Sequence, residues 1–147
     1  MIFDKLFNKT QVPVLEKVMA FTEQRHKVLA HNIANASTPF YRRRDLDVEA
    51  FTKQLRGAIE QREMPGHSRR WEFDTSFTVG TDEAGFLRAK VERDRPSPGV
   101  MRHDRNTVDV RHEMAQLARN TMLHNAASEL LRKQYDMLRT AISERVG

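Results

Sequence analysis

Apolar residues recur along two stretches of this chain at steps of three and four. The first seam is Val12, Leu15, Met19, Thr22, His26, Leu29, Ile33 and Ala36. The second is Val110, Met114, Leu117, Thr121, His124, Ser128, Leu131, Tyr135, Leu138 and Ile142. Such steps draw one stripe along one face of a helix, and they are the spacing of a coiled-coil seam. The pattern predicts a helix from Val12 to about Ala36 and a second from about Asp109 to Arg145. Pro13 suits a first helical turn. Pro39 disfavours helix at Thr38, so the first helix should end near Ser37. Asp109 is placed to cap the second, and Ala118, Leu130, Met137 and Ala141 broaden its stripe.

Each seam is apolar at its ends and polar in its middle. An antiparallel pairing can match both polar segments in one register. It sets Thr22 by Ser128 and His26 by His124, with Val12 meeting Leu138 and Ile33 meeting Leu117. Between the helices the text is mixed. Val48, Phe51, Leu55 and Ile59 suit a short amphipathic helix with Asp45 or Asp47 near its start. From Met64 to Asn106, glycines and prolines punctuate dense charge. "WEFDTSFTV" and "GFLRAKVER" alternate enough for short strands, with a hairpin across "GTDEAG". The competing reading is a loop that orders only against a partner. No internal repeat is visible. The expected fold is mainly α: long terminal helices pairing as an antiparallel coiled coil, a short middle helix, and a middle region that is partly irregular or a small β element. The expected organisation is one domain, with segments 1–40, 41–107 and 108–147.

Composition sharpens this picture. In 147 residues the apolar share is 39% and the charged share 31%, so the core is modest. A pair of helices covers little of its own apolar surface, and a thin core is marginal alone. The seam ends should therefore seek other chains. The net charge is +5, from 25 basic and 20 acidic residues. That balance permits an anionic partner without demanding one. With no cysteine, disulfide and thiolate chemistry are excluded. No run is long enough for a membrane helix. "MIFDKLFNKT" lacks the apolar core of a secretory signal, so the chain is expected in the cytoplasm or exported without a cleaved signal.

Chemical motifs are few. "HEMAQ" at His112 fails as a zinc helix, because Gln116 stands where the second histidine would. His26 and His124 sit on the seams and read as packing residues. There is no glycine-rich phosphate loop and no nucleophile elbow. The expectation is no enzyme, no small-molecule substrate, no metal and no cofactor. Arg42 to Arg44, beside Phe40 and Tyr41, suggest a nucleic-acid patch. Asp45, Asp47 and Glu49 follow directly and weaken that field, which favours a solvated loop against an acidic neighbour subunit. "NAS" at Asn35 matches a glycosylation sequon but lies within a predicted helix.

"LAHNIANASTPFYRRRDLDV" resembles the N-terminal signature of the axial proteins of the bacterial flagellum, a helix ending in Asn-Ile-Ala-Asn and then a Thr-Pro-x-Tyr turn. "NTVDVRHEMAQLARNTMLHNAASELLRKQYDMLRTAI" is similar to the C-terminal helix of the proximal rod family among them. Together the two matches cover about half the chain. A sister rod protein of similar size is the nearest alternative. The resemblance implies a structural subunit of the proximal rod, assembled helically as part of the drive shaft. It implies export by the flagellar type III apparatus and residence in the periplasmic part of the basal body. Its implied partners are copies of itself, other rod proteins, the rod-base adaptor, the inner-membrane ring and the export gate.

The implied assembly motif is Asn32, Ile33, Ala34, Asn35, Thr38, Pro39 and Tyr41. The helix-seam residues are Leu15, Met19, Leu29, Val110, Met114, Leu117, Leu131, Tyr135, Leu138 and Ile142. Asn32 and Asn35 are expected to bond across a subunit boundary and fix register, as a buried asparagine does in coiled coils. Phe40 departs from the glycine of the family's turn. Either the turn uses an ordinary β or αR backbone there, or Phe40 is an exposed contact. Two other classes stay open: a small basic DNA-binding protein using Arg42 to Arg44 and the Val48–Ile59 helix, and a cytoplasmic helical adaptor.

Overall fold

The computed structural model describes residues 11–63, 79–81, 87–89, 91–93 and 103–146. Three helices dominate: α1 (Val12–Ala34), α2 (Val48–Glu63) and α3 (Val110–Val146). Their boundaries follow local chemistry. Pro13 lies in the first turn of α1, where a missing N–H costs nothing. The Asp47 carboxylate accepts the Ala50 amide at 2.9 Å and caps α2. The Asp109 carboxylate accepts the Arg111 amide at 2.9 Å and caps α3. Asp45 takes no part in capping and turns inward.

Four strands of three residues each complete the described elements: β1 (Arg44–Leu46), β2 (Val79–Thr81), β3 (Leu87–Ala89) and β4 (Val91–Arg93). β2 pairs antiparallel with β3, Val79 opposite Ala89, as the predicted hairpin requires. The stretch from Trp71 to Thr78 lies outside the described residues. β1 pairs antiparallel with β4, Arg44 opposite Arg93. That pairing had no sequence signal, since Arg44 reads as part of a basic loop.

α1 packs along α3. Glu16 meets Tyr135, Thr22 meets His124 and Asn32 meets Glu113, so one helix is climbed as the other is descended. Thr22 faces His124 and not Ser128, a shift of one helical turn from the register expected of the seams. The polar middle is real. Asn120 Nδ2 donates to the Thr22 carbonyl at 2.8 Å. The Thr22 hydroxyl donates towards the Val18 and Met19 carbonyls, both at 2.9 Å. The hydroxyl also lies 2.9 Å from His124 Nδ1, and the imidazole tautomer decides which of the two donates.

The apolar core lies on the other side of α1. Phe21, Leu46 and Phe51 bury together, with Val18, Val28, Val48 and Leu55 around them. The Phe21 and Phe51 rings stack with centroids 4.0 Å apart. α1 thus carries two interfaces: an apolar one to β1 and α2, and a largely polar one to α3.

Of the seam residues, Leu29 is fully buried, and Leu15, Met19, Val110, Leu117, Leu131 and Leu138 are half-buried. Met114, Tyr135 and Ile142 are exposed. The α1-facing line of α3 passes through Glu113 and Asn120, both buried, and leaves Met114 outside.

Phe40 has φ 60°. An ordinary β or αR backbone is therefore excluded at this turn, and the ring is 68% exposed. The left-handed conformation costs an L-residue roughly 1–2 kcal/mol, while glycine adopts it freely and loses about 0.5–1 kcal/mol in chain entropy. Phe40→Gly is therefore expected to leave stability unchanged or raise it by up to about 1 kcal/mol. Phe40→Val, β-branched, should lower it by about 1 kcal/mol. Urea unfolding of the two variants checks this, and a Val variant as stable as the Gly variant would refute it.

Candidate functional site

The residues of the sequence motif meet where the end of α1, the segment 40–46 and the start of α3 come together. Asn32 is fully buried. Its Nδ2 donates to the Arg44 carbonyl at 2.6 Å and to Glu113 Oε2 at 2.7 Å. Its Oδ1 accepts the Arg44 amide and the Tyr41 hydroxyl, each at 3.1 Å. All four hydrogen bonds open to a carboxamide are made. In bonding both backbone groups of Arg44, the side chain acts as a neighbouring strand would. The expected bond across a subunit boundary is thus corrected for Asn32, whose partners all lie within the chain. The cause is burial: α3 and the 41–44 segment close over it.

Asn35 follows α1 and is half-buried. Its Nδ2 donates to the His31 carbonyl at 2.8 Å, and its Oδ1 accepts the Thr38 hydroxyl at 3.3 Å. It satisfies helix-end groups that would otherwise lack partners. Ile33 is half-buried, while Ala34, Thr38 and Pro39 are exposed. Tyr41 stands edge-on to His31 with centroids 5.9 Å apart.

Asn106 is the residue that sequence reasoning passed over as a lead-in to α3. It is buried, and its Nδ2 lies within 3.1 Å of the carbonyls of Asn35, Ala36 and Thr38. Its Oδ1 accepts the Val108 amide at 2.8 Å. One side chain thereby closes the end of α1 and shapes the entry to α3. Nearby, the Phe40 amide donates to the Asp104 carbonyl at 3.0 Å, and the Arg43 amide to the Thr107 hydroxyl at 2.8 Å. The signal available was the Asn-x-Val-Asp spacing: an Asx turn opened by Asn106, three residues ahead of the helix cap Asp109.

Charge is buried beside Asn32. Arg43 Nε donates to Glu113 Oε1, and Arg43 Nη2 to Asp45 Oδ2 at 2.9 Å. Arg25 Nε reaches Asp45 Oδ1 at 3.1 Å, and Arg25 Nη2 reaches Gln116 Oε1 at 3.1 Å. The Leu46 amide donates to Asp45 at 2.8 Å. Two cations and two carboxylates balance. Arg43, Asp45 and Glu113 are each at most 5% exposed. Burial pushes the Asp45 carboxyl up, but the hydrogen bond and charge of Arg25, with the charge of Arg43, hold it below its ordinary 3.8. Burial lowers the Arg43 guanidinium, and its bonds to Glu113 and Asp45 more than offset this, so its pKa is raised.

This arrangement corrects the nucleic-acid reading. Arg43, the middle of the basic triplet, is turned inward and neutralised, so Arg42 to Arg44 do not form one cationic surface. The acidic neighbours expected of a partner subunit are Asp45 and Glu113 of the same chain. Among the described residues, no group of three or more His, Asp or Glu is placed to hold a metal. A hollow of about 270 Å³ between α1 and α3 is lined by His26 and His124, with Glu23, Lys27 and Asn120 among its other lining residues.

What the site does is hold: its hydrogen bonds and ion pairs join α1, the segment 40–46 and the start of α3. The fold is mainly helical, and Asn32 and Asn106 of the site are internal fasteners. A scan against protein-family models finds no match. Curated relatives are clear. The chain is 30% identical over 142 residues to the flagellar basal body rod protein FlgB of Cereibacter sphaeroides, covering 91% of this chain and 94% of that protein. It is 27% identical to FlgB of Aeromonas hydrophila over 95% of this chain and 94% of that one. It is 32% identical to FlgB of Borrelia hermsii over 69% and 72%. The chain belongs to the FlgB family of flagellar basal body rod proteins.

Two outcomes are expected of the site. Asn32→Leu leaves the Arg44 backbone and Glu113 short of partners in the interior, each loss costing about 1–3 kcal/mol. It should destabilise by more than about 3 kcal/mol, whereas Asn35→Leu should cost about 1 kcal/mol. Equal losses in urea unfolding would contradict the assignment. Asp45 has a lowered folded pKa, so its stabilisation is complete above the unfolded value near 3.8 and fades as pH falls through the folded value. Asp45→Asn should cost about 3 kcal/mol at neutral pH and flatten the acid limb of the stability curve. An unchanged acid limb would show that Asp45 does not carry it.

Proposed function

We propose that this chain is a structural subunit of the proximal rod of the flagellar basal body. Its terminal helices pair as an antiparallel coiled coil, and the segments 1–40, 41–107 and 108–147 act as one domain. Copies stack helically with other rod proteins to form part of the drive shaft. The rod-base adaptor, inner-membrane ring and export gate are its neighbours at the base. The chain reaches the periplasm through flagellar type III export, without a cleaved signal.

The observation that carries this reading is family membership joined to a two-faced α3. On α3 Glu113 and Asn120 bond to α1, and Ala127, buried, and Leu131, half-buried, fall on the same line. Met122, Ala126, Leu130 and Met137 form a second line, roughly 120° round the helix at ~100° per residue. Met122, Leu130 and Met137 are all more than half exposed. A helix apolar on two faces buries one only when a further chain covers it. Contacts between unlike surfaces that do not close into a ring generate a helical stack.

Deletion of the gene, with motility scored and isolated basal bodies viewed by electron microscopy, tests the proposal. Inner-membrane rings without rods, restored by the complementing gene, are expected. Normal flagella in the deletion strain would overturn it.

A further inference from the structure

Phe40 and Arg105 are the two non-glycine residues of positive φ among the described residues, at 60° and 57°. L-residues rarely adopt that conformation. The fold brings the two together. The Phe40 amide donates to the Asp104 carbonyl at 3.0 Å, and close by the Thr107 amide donates to the Tyr41 carbonyl at 3.2 Å. The base of the turn is fixed. Asn106 Nδ2 donates to the Thr38 carbonyl at 2.8 Å, and the Asp104 carboxylate accepts the Asn106 amide at 3.0 Å. Both strained residues are nevertheless exposed, Phe40 at 68%. Arg42 and His103 beside them are exposed as well. Strained backbone at residues whose side chains stand in water points to a functional surface rather than to packing. The Asp104 carboxylate is engaged with its own backbone, so the charge that this turn shows outward is positive.

We propose that the Phe40 turn docks on a protein other than this chain, the ring entering an apolar pocket and Arg42 and Arg105 meeting carboxylates at its rim. Aromatic rings and arginines are enriched at protein interfaces, and a turn already held from beneath loses little freedom on binding. Its charge selects an acidic partner. Two hollows and the exposed face of α3, among the described residues, do not supply one. A hollow of about 630 Å³ is lined by Arg25, Asp45, Glu49, Lys53 and Arg56. Asp45 is already paired with Arg25, which leaves Lys53 and Arg56 against Glu49. In the smaller hollow between α1 and α3, Glu23 is paired with Lys27 at 2.7 Å beside two histidines. On α3, Arg132 and Lys133 stand between Glu129 and Asp136. The whole chain carries a net +5, so a second copy meets the turn with like charge. A lipid surface is a poor match too. Durable membrane binding takes an apolar helix face or a run of basic residues, and this turn offers one ring and two arginines. The inference rests on the rod-subunit reading and names the surface through which the subunit meets a different protein.

The test places the photo-cross-linking residue p-benzoylphenylalanine at position 40 in the deletion strain, illuminates isolated basal bodies and sequences the joined peptide by mass spectrometry. The aromatic replacement keeps the ring at the contact. The expected product joins this 17.1 kDa chain to a different protein, at a peptide that carries Asp or Glu. The same probe at position 59, an exposed apolar position on α2, should not give that product. A product with a second copy of this chain, with lipid or with nothing would overturn the contact and leave the rod reading standing. Absence of even the unaltered chain from basal bodies would overturn both. A charge exchange separates docking from folding. Arg105→Glu should lower the cross-link yield about tenfold, with helicity by circular dichroism unchanged, and reversal of the partner's carboxylate to lysine should restore it. An undiminished yield, or failure of that rescue, would refute the acidic rim.

Discussion

The Asn32 carboxamide is the point on which the arrangement of the described chain turns. A strand residue such as Arg44 needs partners for its amide and carbonyl, and Asn32 provides both from a helix. In the same geometry its two remaining bonds reach Tyr41 and Glu113. Glu113 then fixes Arg43, Arg43 fixes Asp45, and Asp45 fixes Arg25 on the helix where the chain of contacts began. The circuit crosses α1, β1 and α3. Each member is satisfied only when the others are in place. Buried charges lose several kcal/mol of hydration per ion, and their attraction roughly offsets that loss. Packed apolar residues of the same volume could match them in stability. What the circuit supplies is discrimination, because a register slip of one turn would leave several groups unpaired in the interior at once.

Much of the fold was legible because it is local. Helix periodicity placed the starts of α1, α2 and α3 within a residue or two, since steps of three and four report a face directly, while α1 stops three residues short of Ser37 and α2 runs four past Ile59. Pro13, Asp47 and Asp109 marked helix starts for reasons contained within one turn of backbone. The small antiparallel pair β2–β3 was legible from alternation around a glycine-bounded turn. The register between α1 and α3 was not. Apolar seams repeat every turn, so several offsets match almost equally, and the choice among them lies with polar residues. The α3 seam was drawn through Met114 because methionine is apolar. The true inner line runs through Glu113 and Asn120, which declare themselves only once Arg43, Asn32 and Thr22 are seen opposite.

The asparagines show the same limit from another side. Both lie in the "HNIAN" stretch and both are poor helix formers. One is a fully buried connector and the other a half-exposed helix-end group. Spacing separates them: Asn32 follows Leu29 by three and lies on the face that α3 covers, while Asn35 falls past the last helical turn. Arg43 was misleading for a similar reason. In sequence it is the centre of a basic triplet, and burial makes it the cation between two carboxylates. Charge counted along a sequence measures a field only for side chains that stay in water.

These interactions divide the work of the molecule between two kinds of force. Inside the chain, cohesion between α1 and α3 is largely directional. Thr22, Asn32, Asn120, Arg43, Asp45 and Glu113 are all buried, and each contact has one satisfactory geometry. On the outside, α3 carries Met122, Leu130 and Met137 in water, where apolar attraction is non-directional and scales with area. The apolar cluster of Phe21, Leu46 and Phe51 lies on the other side of α1, towards β1 and α2. The observed division holds α3 to α1 through buried polar bonds and leaves Met122, Leu130 and Met137 exposed.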